Sequence, residues 1–131
     1  MYACEDVVEE HLGSREIAFD DAAAWLSTVC DAEGIDEPLV VRGRASRATL
    51  ASADIDGHAL CIRGSRTTTS TLVHELAHLT CGVGSHRALF LDELVRLTRA
   101  HVSVEHASLM HALFGACGMA VAPWGASASR R

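Results

Sequence analysis

The run Thr71-Leu72-Val73-His74-Glu75-Leu76-Ala77-His78-Leu79 constrains this chain more than any other segment. A helix turns once every 3.6 residues, so His74 and His78 project from one face, one turn apart. Leu72, Leu76 and Leu79 recur at spacings of four and three and lie on the opposite side. The segment is thus predicted to bury its leucines and to offer two imidazoles to a cleft. Two imidazoles so placed can hold one Zn²⁺ at about 2.0–2.1 Å each. Glu75 stands beside the first of them, near enough to take a proton from water. Two surface histidines on an amphipathic helix are the plain alternative. At this chain's own His and Glu frequencies a chance HExxH has odds of roughly 0.03, which favours the metal site.

A catalytic zinc keeps three protein ligands and one open position. His86 is the first candidate for the third. It follows His78 by eight residues, after the Gly82/Gly84 break, where the chain can turn back under the metal. Asp92 or Glu93, further along, is the alternative. Cys81 falls three residues after His78, on roughly the ligand face; as a fourth ligand it would close the site and make it structural. His101, His106 and His111 read as surface or partly buried residues.

Composition narrows the class. The chain has 131 residues, 49% of them hydrophobic and 21% charged, which suits one folded domain and excludes wholesale disorder. All eleven basic residues are Arg, and the net charge is −6. A phosphate-neutralising surface is therefore not expected, nor is nucleic acid as a partner. Five cysteines without a CxxC pair read as reduced, mostly buried thiols. No apolar run approaches the roughly 18 residues of a membrane span, and no signal peptide is legible, so a cytoplasmic protein is expected.

The rest of the chain supplies a frame. Residues 5–11 read as a short helix closed by Gly13. Residues 20–33 read as a second, capped by Asp20 and ended by Gly34. Strands are predicted over 38–42, 48–53 and 58–63, with a turn at Asp56-Gly57. The motif helix should run from a cap among residues 67–70 to about Thr80, with a break over 81–84. Another helix, 86–100, should start at Ser85 and turn Leu89, Phe90, Leu94 and Leu97 inward. A last one opens at Ser103 and ends near 115–118. The fold class expected is α+β. It has N-terminal helices, a small, mainly antiparallel sheet of about three strands, the HExxH helix and two C-terminal helices. Residues 1–121 form the domain, and residues 122–131 a loose tail.

His74-Glu75-Leu76-Ala77-His78, a short glycine-containing gap and His86-Arg87-Ala88-Leu89-Phe90 resemble the HExxH…HGxxF arrangement of SprT-like zinc metallopeptidases. The resemblance is closer to a family of small HExxH metallohydrolases of actinobacteria and their phages. Val41-Arg42-Gly43-Arg44 and Cys61-Ile62 fall at the strand positions of that layout, and the likeness runs from about Tyr2 to Met119. It implies a minimal zincin-like fold, His74, His78 and His86 as zinc ligands, and Glu75 as general acid/base. It implies a zinc-dependent hydrolase, a metallopeptidase acting on peptide or protein. Arg87 stands where the pattern favours Gly, and the basic or zinc-ribbon extension of a DNA-dependent protease is absent, so DNA binding is not carried over. Phe90 reads as a core anchor. Transition-state stabilisation falls to no evident residue: Tyr2, the only tyrosine, His58 and a helix-borne His are all open. Two other readings stand beside the peptidase. One is a regulatory protease of the ImmA/IrrE type acting on one partner. The other is a binding module whose zinc is structural or lost.

Overall fold

The computed structural model describes residues 1–82 and 84–129. Val83, in the break predicted over 81–84, and Arg130 and Arg131, in the predicted tail, lie outside the described residues. Helix α1 (Tyr2–Leu12) stops at Gly13, whose φ of 62° suits a residue without Cβ. Strand β1 (Glu16–Ala18) leads directly into α2 (Phe19–Glu33), which Gly34 ends in the left-handed conformation. Asp20 does not cap this helix. Ala18 holds the N-cap position and Asp20 lies in the first turn, where its charge complements the helix dipole instead.

Strands β2 (Leu39–Gly43), β3 (Ala51–Asp54) and β4 (Ala59–Arg63) follow, then β5 (Arg66–Thr68). Asp54 and Gly57 close the β3–β4 hairpin, the Gly57 amide donating to Asp54 Oδ1 at 3.0 Å. The three-stranded sheet has the order β2-β4-β3. β4 runs antiparallel to β3, with Ser52 opposite Cys61, but parallel to β2, with Val41 opposite Cys61. The sheet is therefore mixed rather than mainly antiparallel. The seven residues between β2 and β3 carry the chain past the central position, which β4 then fills on its return. A separate antiparallel pair joins β1 to β5, with Ile17 opposite Thr67. Strands of three residues are too short to show alternation, so sequence periodicity does not reveal them.

Helix α3 (Thr69–Cys81) carries the motif. Its N-cap is Thr68, whose hydroxyl accepts from the Thr71 amide at 3.1 Å. Helix α4 (Ala88–His101) begins later than expected, at an N-cap, Arg87, with no side-chain cap from Ser85. Leu89 also departs from the expectation, because its angle round the helix sets it apart from Phe90 and Leu94. Phe90, Leu91, Leu94, Val95, Leu97 and Thr98 form the buried face, and Leu89 falls off it, 69% exposed rather than inward. Helix α5 (Val104–Ala116) starts at Ser103, which caps the His106 amide at 2.9 Å. The architecture is α+β: five α-helices with sheets of two and three strands among the described residues. None of these helices is long and apolar enough to cross a membrane.

The core joins the sheet to the helices through Leu26, Leu60, Ile62, Leu72, Leu76, Phe90, Leu94 and Phe114, each essentially inaccessible to solvent. Residues predicted as a loose tail include a 3₁₀ turn, Trp124–Ala128, docked on α4. Arg99 stacks its guanidinium 4.3 Å from the Trp124 ring and donates to Ser127 Oγ at 2.9 Å. Asp92 Oδ1 accepts from the Ala122 amide at 2.7 Å.

A second polar cluster ties α2 to α4. Glu33 accepts from Arg96 at 2.6 Å and faces His101 Nε2 at 2.8 Å. Burial by itself pushes the Glu33 carboxyl up, but the hydrogen bonds from Arg96 and His101 outweigh it and hold the pKa at about 2. A depressed carboxylate stabilises the fold above its ordinary pKa of 4.5, and that stability is lost as pH falls towards about 2. Urea unfolding between pH 2 and 7 should show wild-type stability climbing by on the order of 2 kcal/mol from this group. Glu33→Gln should remove most of that climb; an unchanged pH profile would contradict the assignment.

Candidate metal centre

The motif helix does not lie with its histidine face open. Every residue from Leu72 to His78 is buried, with His74 at 4%, Glu75 at 8% and His78 at 7% exposure. Three polar side chains are thus removed from water, which costs free energy unless each finds a partner. The cover comes from α1, which places Tyr2 and Glu5 here, from His86 ahead of α4, and from Phe90 in its first turn.

His74 Nδ1 meets Glu5 Oε1 at 2.7 Å. A carboxylate accepts, so this nitrogen carries the proton and the lone pair sits on Nε2. His74 Nε2 is buried and has no hydrogen-bond partner. His86 Nε2 and His78 Nε2 face one another at 3.0 Å. The ligand nitrogens of all three histidines lie within 4.8 Å of one another, and they are the one such metal-holding group among the described residues. Three convergent imidazoles, one with a buried orphan lone pair, fit a metal ion: a single cation would satisfy all three at once. Glu5 stands where an outer carboxylate would orient His74 if that residue ligated a metal.

The electrostatics agree with the geometry. His86 is pushed down to about 4, first by burial and then by His74 and His78, so its ring is neutral and its lone pair available. Glu75 is pushed up to about 7 by burial, with His74 opposing and Glu5 adding to the rise. Burial, then Glu75 and Glu5, raise the Tyr2 hydroxyl, which therefore stays a phenol. The Tyr2 ring stacks on His74 at 5.3 Å and meets His86 edge-on at 5.2 Å. Phe90 is fully buried and floors the site, with centroids 4.3 Å from His78, 4.9 Å from His86 and 5.0 Å from His74. It is a core anchor that also fixes the rings of all three candidate ligands.

The structure brings the ring nitrogens of His74, His78 and His86 together, and Glu75 follows His74 in the same buried stretch of α3. The other candidates are engaged elsewhere. Asp92 holds the Ala122 amide and Glu93 pairs with Arg96 at 2.6 Å. The Cys81 thiol points to the His78 carbonyl at 3.9 Å and is outside the histidine group. His58 Nε2 contacts the Asp36 carbonyl at 2.8 Å, His101 binds Glu33, His106 the Gly13 carbonyl and His111 the Ala122 carbonyl. Arg87 has an ordinary φ of −97°, so the backbone there has no need of glycine. Tyr2 is the one open candidate for stabilisation that reaches the site. Glu5 is the residue that sequence reading misses: it lies 69 positions from His74, among seventeen acidic residues with nothing to set it apart.

Comparison with family models, with curated proteins and with solved structures finds no match.

Because Glu5 fixes the proton on His74 Nδ1, Glu5→Ala should weaken metal affinity by about 10- to 100-fold while leaving the helical content intact. Glu5→Gln keeps an acceptor and should lose less. Competition with a chromophoric chelator measures both, and equal affinities for wild type and Glu5→Ala would refute the role.

Proposed function

We propose that the chain is a zinc-dependent hydrolase, and specifically a metallopeptidase of minimal zincin-like build, as its resemblance to SprT-like enzymes and to small HExxH metallohydrolases suggests. The observation that carries this reading is the convergence of His74 and His78, both buried, with half-buried His86, and with buried Glu75 directly following His74 in α3. An all-imidazole set of three suits zinc and leaves the ion an open position, as catalytic rather than structural sites do. Zinc held there would supply Lewis acidity, polarising a carbonyl and making water easier to deprotonate.

The chain's own groups do the rest. His74, held by Glu5, and neutral His86 present lone pairs without first losing protons. Glu75 takes a proton from the attacking water on its carboxylate and returns it to the departing amine. Phe90, fully buried beneath the three imidazoles, lowers the dielectric on that side of the site and strengthens these interactions. Tyr2, with its hydroxyl still protonated, is the donor suited to stabilise charge developing on the carbonyl oxygen.

A peptide substrate is supported by the sheet. β3 is an edge strand, paired only with β4, and α3 packs against it. Its end adjoins the loop before His86: a Cβ on Gly84 would lie 4.0 Å from Ile55 Cδ1. An extended peptide adding to β3 would therefore run past the histidines. The cover of α1 over the site favours restricted access, as in a regulatory protease of the ImmA/IrrE type that cuts one partner. In that case a lysate should yield one specific cleavage rather than many.

Mass spectrometry of the purified protein should find one zinc per chain, much reduced in His86→Ala. Glu75→Gln should keep the zinc and lose turnover of a quenched-fluorescence peptide library by at least about 10²- to 10⁴-fold. Absence of zinc from protein purified without chelator, or activity surviving in Glu75→Gln, would overturn the mechanism.

A further inference from the structure

Two thiols far apart in sequence meet where the cover of the site is anchored. The Cys4 thiol points to Cys117 Sγ at 3.8 Å, across 113 residues. Cys4 lies in the first turn of α1, between Tyr2 and Glu5, two α1 residues that touch His74. Cys117 ends α5, the element on which α1 chiefly packs. We propose that Cys4 and Cys117 are a redox pair whose oxidation to a disulfide ties α1 to the end of α5 and holds Glu5 on His74.

The two sulfurs differ in the way that stepwise exchange needs. Cys4 is buried, at 5% exposure, while Cys117 is exposed. Burial first, and then the contact with Cys117, raise the Cys4 thiol and keep it protonated. Cys117 is therefore the sulfur that meets an oxidant in solution. A disulfide bond is about 2.05 Å long, so the sulfurs must close by somewhat under 2 Å. Movement on the Cys117 side is inexpensive, because that residue sits at a helix end between Gly115 and Gly118, the latter at φ 74°. The remaining cysteines are placed differently: Cys30 is fully buried in α2 and pushed up to about 11, Cys61 is on the central strand, and Cys81 is beside the His78 carbonyl.

The oxidant fitting this arrangement is a low-molecular-weight disulfide. Cys117 loses its proton to solvent, and its thiolate attacks one sulfur of the oxidant. The oxidant's S–S bond breaks, one thiolate leaves, and a mixed disulfide forms on Cys117. Cys4 then loses its proton to solvent and attacks the Cys117 sulfur, expelling the second thiolate. The protein gives up two electrons and two protons, and the oxidant becomes two thiols.

Glutathione disulfide is the probe. The wild-type chain should lose the mass of two hydrogens, and arginine-specific cleavage should yield one linked pair of peptides carrying Cys4 and Cys117. Cys4→Ser should stop with glutathione on Cys117. Cys117→Ser, an exposed substitution that leaves the core alone, should form neither product. A wild-type chain that stops at the mixed disulfide, or that links Cys117 to another cysteine, would overturn the pairing. Amide hydrogen exchange across α1 should slow several-fold on oxidation of the wild type and not of Cys117→Ser; unchanged exchange would overturn the tether. The consequence for the site rests on the metal reading above: bound zinc should pass to a chelator several-fold more slowly from the oxidised protein. A chain that binds no zinc would sink that reading, and the mass and exchange results would still decide the redox pair.

Discussion

The hydrogen bond between Glu5 and His74 is the contact on which the site depends. The motif helix is buried along its whole middle, and burying an imidazole without a partner for its N–H is costly. Glu5 removes that cost at Nδ1 and leaves Nε2 as a directed lone pair. Without it, either nitrogen could carry the proton, and the ring would have no reason to aim its lone pair at His78 and His86. One surface-like carboxylate in α1 thereby sets the chemistry of a histidine in α3.

Around that contact the molecule divides its tasks. Sheet, α3 and α4 form the rigid part: Leu60 and Ile62 of β4, Leu72 and Leu76 of α3, and Phe90 and Leu94 of α4 are all excluded from water. Phe90 matters twice. It fills the core between α3 and α4, and its ring contacts all three imidazoles, so it links the packing of the fold to the orientation of the candidate ligands. The half-buried Glu33–Arg96–Glu93 cluster holds α4 against α2 from the other end and leaves neither acid of that cluster free for a metal.

Much of this was legible in the sequence. The spacing of His74, Glu75 and His78 on one helical face carries the motif, and the glycine break carries His86 back to it. Helix ends marked by Gly13, Gly34 and Ser103 were also readable, because each rests on local chemistry. The remainder depends on contacts that no local pattern encodes. The parallel pairing of β2 with β4 follows from how the chain crosses the sheet, not from the strands' own residues. The β1–β5 pair is too short to show a period. The docking of Trp124 on Arg99 joins a polar-looking tail to a helix 25 residues earlier. Glu5 and Tyr2 reach the site only because α1 packs on α5, a long-range event. The leucine stripe likewise suggests an open histidine face, whereas α1 and Phe90 cover it.

The least anchored element completes the site, and this has a thermodynamic consequence. Only Cys4 and Val8 of α1 are buried, against eight residues of α3, so α1 is the helix whose local opening should cost least. When α1 lifts away, Glu5 leaves His74 Nδ1 and the preference for a lone pair at Nε2 goes with it. A cation drawing on Nε2 in turn favours the protonated Nδ1 that Glu5 accepts from. Docking of α1 and occupation of the histidine site therefore stabilise one another, and linkage requires the coupling to be equal in both directions. Under the proposed function, access for a substrate and retention of a metal would be set against each other by the same helix, because the face of α1 that orients His74 also covers it.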